Sequence, residues 1–215
     1  MRSMLRSIPV FAGDLQPFPV SQAPDRPEDL FVQWLSDALA AGVAEPHAMT
    51  LATVGSDGLP DARVLILKDL DEHGWRFASH AHSPKGQDLA RHPAAALTFY
   101  WPQQARQVRV RGRVAPEPAE RSAADFLARP LGSRAEASIG RQSQPLKDPA
   151  ELEQCTTQAV AALEAEPHLV VPEWTLYTLT PAQVEFWQGD RQRRHTRLRY
   201  TATTDGGWMR EALWP

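Results

Sequence analysis

The sequence predicts a single α+β domain on a mostly antiparallel sheet. Three observations lead there. After a first helix, the order of elements is strands, then helices, then strands. Neighbouring strand-like runs are joined by short turn signals such as "GSDG", "DEHG" and "TDGG", which suit hairpins and leave no room for parallel crossovers. In "RQVRVRGRV", Val108, Val110 and Val114 alternate with Arg109, Arg111 and Arg113, so one face is apolar and the other wet. A mostly antiparallel sheet of this size often closes into a barrel, which removes its edges.

Residues 1–26 are rich in Pro, Gln and Ser without periodicity and read as a flexible N-terminal arm. The domain proper is expected over 27–215. A helix starts at about Asp25 to Pro27, with the proline in its first turn, and ends near Gly42. It places Leu30, Phe31, Trp34, Leu35 and Leu39 on one face. Three strand-like runs follow in residues 47–81, and "AAALTFYW" with "RQVRVRGRVAPE" makes a further pair. Residues 116–165 turn helical in "PAERSAADFLARP" and "DPAELEQCTTQAVAALEAE", and the polar stretch "LGSRAEASIGRQSQPL" between them reads as irregular. The end returns to strands in "EWTLYTLT", "QVEFWQ", "RRHTRLRYTA" and "GWMREALWP".

The 215 residues carry 23 Lys and Arg against 26 Asp and Glu, a formal charge of -3, which argues against broad nucleic-acid binding. The single cysteine, Cys155, permits no intrachain disulfide and places the chain in a reducing compartment, the cytoplasm. No apolar run approaches the ~20 residues of a membrane span. Phosphate-loop, dinucleotide and nucleophile-elbow motifs are all missing from the sequence. His80 and His82 in "HAH" form the only tight histidine pair, without a cysteine or acidic partner at ligand spacing, so no metal is expected.

What remains is basic and polar. Arg63 and Lys68 flank an apolar strand, and "ASHAHSPKG" offers Ser79, Ser83 and Lys85 in a turn, hydroxyls and an ammonium that suit a phosphate. "IGRQSQ" adds Gln142 and Ser143. "EFWQGDRQRRHTRLRY" gathers Arg191, Arg193, Arg194, Arg197 and Arg199 around His195, beside Trp187, in a chain of net negative charge. Arg63, Lys85 and Arg197 form one candidate anion site, and Lys68, Arg129 and Arg193 another. Two anions and aromatic surface point to a phosphorylated heterocyclic cofactor meeting a phosphorylated substrate.

From about residue 28 to the C-terminus, "EPHAMTLATV", "ARVLILKD", "RQVRVRG", "RP" followed by "RQS", and "EFWQG…RRHTRLRY" resemble, in order and spacing, the pyridoxine/pyridoxamine 5'-phosphate oxidases. That resemblance implies an FMN-binding split β-barrel with peripheral helices, dimeric, with FMN between subunits. It implies FMN contacts from Arg63, Ser79, Lys85, Gln142 and Ser143, with the backbone of Val64 and Leu65 along the flavin, and a site completed by Gln107, Trp187 and Arg197. Lys68 borders both ligands and, with Arg129 and Ser133, would bind the substrate phosphate. Arg193 and His195 would cover the substrate ring away from the flavin, with Arg193 orienting the reacting group. The implied reaction is oxidation of pyridoxine 5'-phosphate or pyridoxamine 5'-phosphate to pyridoxal 5'-phosphate, with oxygen as acceptor. The chain departs from the family at positions that matter: Asp125 replaces a tyrosine at the substrate site, Ala78 an aromatic residue at the cofactor site, and Pro84 an arginine. Some departures resemble the phenazine-biosynthesis flavin oxidases, which makes an FMN-dependent oxidase of the same fold acting on another aromatic substrate, such as a dihydrophenazine, the alternative. A flavin- or pyridoxal-phosphate-binding protein without turnover is the third reading.

Overall fold

A computed structural model describes residues 1–11 and 15–215. Among these residues, nine strands form one sheet: β1 (Ala48–Val54), β2 (Pro60–Ile66), β3 (Asp69–Asp71), β4 (Gly74–His80), β5 (Ala94–Trp101), β6 (Arg106–Pro116), β7 (Trp174–Gln188), β8 (Thr196–Ala202) and β9 (Trp208–Ala212). Every pairing is antiparallel, as the short turns require. The order is β2-β1-β5-β6-β7-β4-β3, with β8 on β7 and β9 on β8. The sheet curls until its far sides meet: just beyond β2, the Lys68 amide donates to the Arg76 carbonyl on β4 (2.8 Å). The expected barrel-like α+β architecture is present.

β7 organises this topology. One of its edges pairs with β6 along its length. The other pairs with β4 over 174–179 and with β8 over 183–188. "EWTLYTLT" and "QVEFWQ", expected as separate strands, are thus one. Pro181, between those two runs, sits where the β6 register shifts between Arg111 and Gly112, and a bulge tolerates its missing N–H. Gly112 is required there, since a Cβ would lie 2.0 Å from the Thr180 carbonyl oxygen.

The main core lies inside the curl. Val108, Val110 and Val114 are buried and Arg109, Arg111 and Arg113 exposed, as the alternation demands. Helix α2 (Pro27–Ala40) buries Leu30, Phe31, Trp34 and Ala38 against it, with Phe31 edge-on to Phe99 (4.8 Å) and Trp75 (5.8 Å). Leu39 is a correction: it is exposed, because nine residues after Leu30 the helix, at 3.6 residues per turn, has turned to the opposite side.

A second, smaller core joins α4 (Ala119–Leu127), α5 (Leu131–Ile139) and α6 (Pro149–Ala165) to the outside of β4 and β7, through Phe126, Ala135, Leu163, Trp174 and Leu176. α5 overturns the irregular reading of 131–146. Gly140 ends it in a left-handed conformation (φ 68°), a normal C-terminal signal that the polar composition had obscured. Helix α3 (Pro84–Arg91), where the sequence showed only a turn, follows β4.

Within the arm, α1 (Arg2–Ser7) buries nothing. Phe18 packs edge-on against Trp34 (5.0 Å), and the Tyr200 hydroxyl donates to the Pro24 carbonyl (2.7 Å). Residues 12–14 of the expected arm lie outside the described residues.

Gly112→Ala should destabilise the fold by roughly 1–3 kcal/mol, the usual cost of forcing atoms into filled space. Urea unfolding should show a lower midpoint with an unchanged slope.

Candidate active site

A cavity of about 910 Å3 opens between β2, the end of β4 and α5. That volume is in the range of small-molecule and cofactor sites, ~300–1,000 Å3. Val64, Leu65, Lys68, Ala78, Ser79, Lys85, Arg129, Ser133 and Gln142, all expected at the site, line it. Two groups of cations stand in or beside it, and their partners differ.

The first group forms at the start of α3. Ser83 caps the helix, accepting from the Gly86 amide (3.3 Å), and its hydroxyl lies 3.2 Å from that of Ser79. A Cβ on Gly86 would sit 2.3 Å from the Ala81 carbonyl oxygen, so only glycine permits this turn. The turn buries Lys85, whose Nζ donates to Gln142 Oε1 (2.6 Å) and Ser83 Oγ (3.3 Å), both neutral. Burial, with a further push from Arg63, lowers the Lys85 pKa to about 8. Arg63 stands just behind the wall, donating to Thr53 Oγ1 (2.7 Å) and paired with Asp61. A buried ammonium with neutral partners, two hydroxyls and a helix N-terminus together make a cradle for an anion.

The second group is differently balanced. Lys68 Nζ lies 3.2 Å from Asp125 Oδ1, and Asp125 Oδ2 accepts from the Trp174 indole N–H (2.8 Å). Arg129 lies over the Trp174 ring at 3.9 Å and donates to the Ser133 carbonyl (2.9 Å). Its Nε is buried with no hydrogen-bond partner among the described residues. Asp125 lies outside the cavity lining, behind Lys68 and Trp174.

Gln107, Trp187 and Arg197 are brought together elsewhere. They sit directly opposite one another on β6, β7 and β8, a cross-strand row. Arg197 is held by Glu185 (2.8 Å) and donates to the Trp214 carbonyl (3.0 Å). In the following turn, Asp190 Oδ1 accepts from the Gln192 and Arg194 amides, His195 Nδ1 accepts from the Asp190 amide (3.0 Å), and Arg193 takes φ 63°. His195 packs on Trp187 (5.0 Å), and Phe11 of the arm contacts His195 and Trp187, with the Arg193 guanidinium 5.6 Å from its ring. This group does not line the cavity of its own protomer. The sets Arg63–Lys85–Arg197 and Lys68–Arg129–Arg193 are therefore each divided within one chain. Ser143, in a left-handed turn (φ 67°), is also outside the lining.

The residues from 35 to 163 match the family described as "Pyridoxamine 5'-phosphate oxidase", and 174 to 215 match "Pyridoxine 5'-phosphate oxidase C-terminal dimerisation region". The chain belongs to the pyridoxine/pyridoxamine 5'-phosphate oxidase family. A pyridoxine/pyridoxamine 5'-phosphate oxidase of Bordetella petrii is 48% identical over 189 residues, 88% of this chain and 89% of that one. Its counterpart in Pseudomonas paraeruginosa is 43% identical over 197 residues, 91% of each. Among solved structures, PhzG from Burkholderia lata, in complex with tetrahydrophenazine-1-carboxylic acid, superposes with a TM-score of 0.86 at 28% identity, covering 95% of this chain and 100% of that one. A pyridoxamine 5'-phosphate oxidase-related, FMN-binding protein of Nostoc punctiforme shares the fold, with a TM-score of 0.71 at 20% identity, over 90% and 100% of the chains.

Membership of this oxidase family makes the chain an FMN-dependent oxidase. The Lys85 cradle fits FMN, whose phosphate would meet a buried cation that otherwise has only neutral hydrogen-bond partners. Among the described residues, no three His, Cys, Asp or Glu side chains group as metal ligands, and no helix is long and apolar enough to cross a membrane. Sequence reasoning missed Glu136 and Trp174 in the lining. Arg129, Ser133, Glu136 and Gly140 recur at helical spacing and would have signalled one wall, had α5 been recognised.

The Lys85 pKa makes a directional prediction. In the free protein Lys85 loses its proton through about pH 8, and an adjacent phosphate would hold that proton to higher pH. Binding then takes up a proton above pH 8. The FMN dissociation constant should rise with pH there, by up to about tenfold per unit for one proton. Flavin-fluorescence titrations should show this slope in the parent protein and its loss in Lys85→Met.

Proposed function

We propose that this protein oxidises pyridoxine 5'-phosphate or pyridoxamine 5'-phosphate to pyridoxal 5'-phosphate, with oxygen as final acceptor. The observation that carries the reading is one cavity served by two cation groups, Lys85 and the Lys68–Arg129 pair, which suits a phosphorylated cofactor and a phosphorylated substrate side by side. FMN, when bound, supplies the two-electron acceptor.

The chain's own residues bind and orient. Lys85, Ser79 and Gln142 hold the cofactor phosphate, with Ser143 next to them at the edge of the cavity and Arg63 reinforcing the positive potential from behind. β2 offers the backbone of Val64 and Leu65, and Ala78 lines the cavity beside Ser79. Arg129, Lys68 and Ser133 anchor the substrate's anionic group, and the buried, unpartnered Nε of Arg129 supports that role. Fixing both rings at the right separation accounts for the rate without a protein base.

Gln107, Trp187, Arg197, Arg193 and His195 complete the site from the second subunit of a homodimer. Their absence from the cavity lining of their own chain, and the match of residues 174–215 to a dimerisation region, support this arrangement. Arg193 and His195 then cover the exposed face of the substrate ring, which answers why basic residues surround Trp187.

A second reading has an observation in its favour. Asp125 offsets Lys68, and such a site suits a less charged aromatic acid of the kind bound in the PhzG structure.

Hydrogen peroxide release by the FMN-loaded protein separates the two. Pyridoxine 5'-phosphate and pyridoxamine 5'-phosphate should be turned over, and pyridoxine and pyridoxamine should not. FMN bound with no turnover of any of the four would overturn the vitamin B6 reading and favour the tricyclic acid.

A further inference from the structure

Asp125 is gripped from two sides. One oxygen pairs with Lys68 (3.2 Å) and the other accepts from the Trp174 indole (2.8 Å). The carboxylate is only 14% exposed and lies behind the cavity wall, whereas Lys68 and Trp174 both face the cavity. A ligand therefore does not touch Asp125, yet feels its charge through the lysine in front of it. Arg129, stacked on the same indole, belongs to the same assembly.

We propose that Asp125 is a positioning residue that weakens the hold of this subsite on a doubly charged anion, by keeping Lys68 paired against the Trp174 indole. The inference rests on the assignment of Lys68 and Arg129 to the substrate's anionic group. Repulsion from a fixed carboxylate grows in proportion to ligand charge, so a phosphate dianion is penalised about twice as much as a carboxylate monoanion. Glu136, which lines the same cavity, adds to the penalty. The opposing effect is pre-orientation, since a held lysine loses less freedom when a ligand arrives. Charge wins here because the Lys68 side chain, only 28% exposed, is already confined by its surroundings. The subsite is thereby shifted toward tolerance: anionic groups of lower charge lose less than phosphate does.

Asp125→Asn tests this in the FMN-loaded protein, because the amide oxygen still accepts from the indole while the charge and the acceptor that faces Lys68 are removed. Two quantities decide: the dissociation constant of inorganic phosphate by titration calorimetry, and KM against kcat for pyridoxine 5'-phosphate. Phosphate should bind roughly three- to tenfold more tightly, the scale of a partly exposed ion pair. KM should fall by a similar factor while kcat and FMN affinity change less than about twofold, a split that a loss of structural integrity would not produce. Unchanged or weaker phosphate binding would overturn the proposal, and weaker binding would make Asp125 a pre-orienting group instead. Should the asparagine variant not fold, the smaller Asp125→Ser also removes the charge and serves the same test. If the parent protein oxidises no vitamin B6 compound, the functional reading fails, and the phosphate titration still decides the role of Asp125.

Discussion

The ladder between β6 and β7 is the constraint on which the rest of the structure depends. Only a strand as long as β7 can pair with β4 at its start and β8 at its end. Its first half sets Trp174 opposite His80, Thr175 opposite Ser79 and Leu176 opposite Ala78, which positions one wall of the cavity. Its second half sets Trp187 between Gln107 and Arg197. Both groups of site residues thus hang from one strand, and the bulge at Gly112 and Pro181 lies between them. Errors of register would move the two groups together, since a slip of one residue turns every side chain to the other face.

Electrostatics distinguishes two cation groups that composition alone makes look alike. Lys85 is buried among neutral oxygens, so its charge is costly until an anion arrives. Lys68 has an anion of its own in Asp125 and pays no such cost. On the proposed assignment, the first arrangement stores binding energy for a resident phosphate, and the second makes a looser subsite, as suits a group that must come and go with each turnover. Arg197 falls between them: Glu185 holds it in place within the protomer and sets the direction in which it can reach.

Much of this was legible in the sequence, because antiparallel strands with tight turns write their period and their punctuation locally. The Val and Arg alternation of β6, the helix beginning at Pro27 and the "TDGG" turn all appear where expected. The failures share a cause: a local signal outweighed by long-range structure. The two runs on either side of Pro181 read as separate strands, and only its partner Gly112, far away in sequence, shows that Pro181 sits at a bulge within one strand. α5 was hidden by its polar surface, part of which lines the cavity. The residues for two anion sites were visible as types, and so was Asp125 as a departure. Its pairing with Lys68 across 57 positions was not, because nothing in the spacing specifies a contact between a strand end and a helix of another layer.

The division of the site between subunits is the central claim, and mixing two inactive variants tests it directly. Arg129→Ala impairs the cavity group and Arg193→Ala the turn after β7. In a heterodimer of the two, one shared site would carry both defects and the other none. Peroxide release from pyridoxine 5'-phosphate should therefore return when the variants are unfolded and refolded together, to about a quarter of the parent rate for random pairing. Mixtures as inactive as the separate variants, with heterodimers demonstrably formed, would place both groups at the site of a single chain and contradict it.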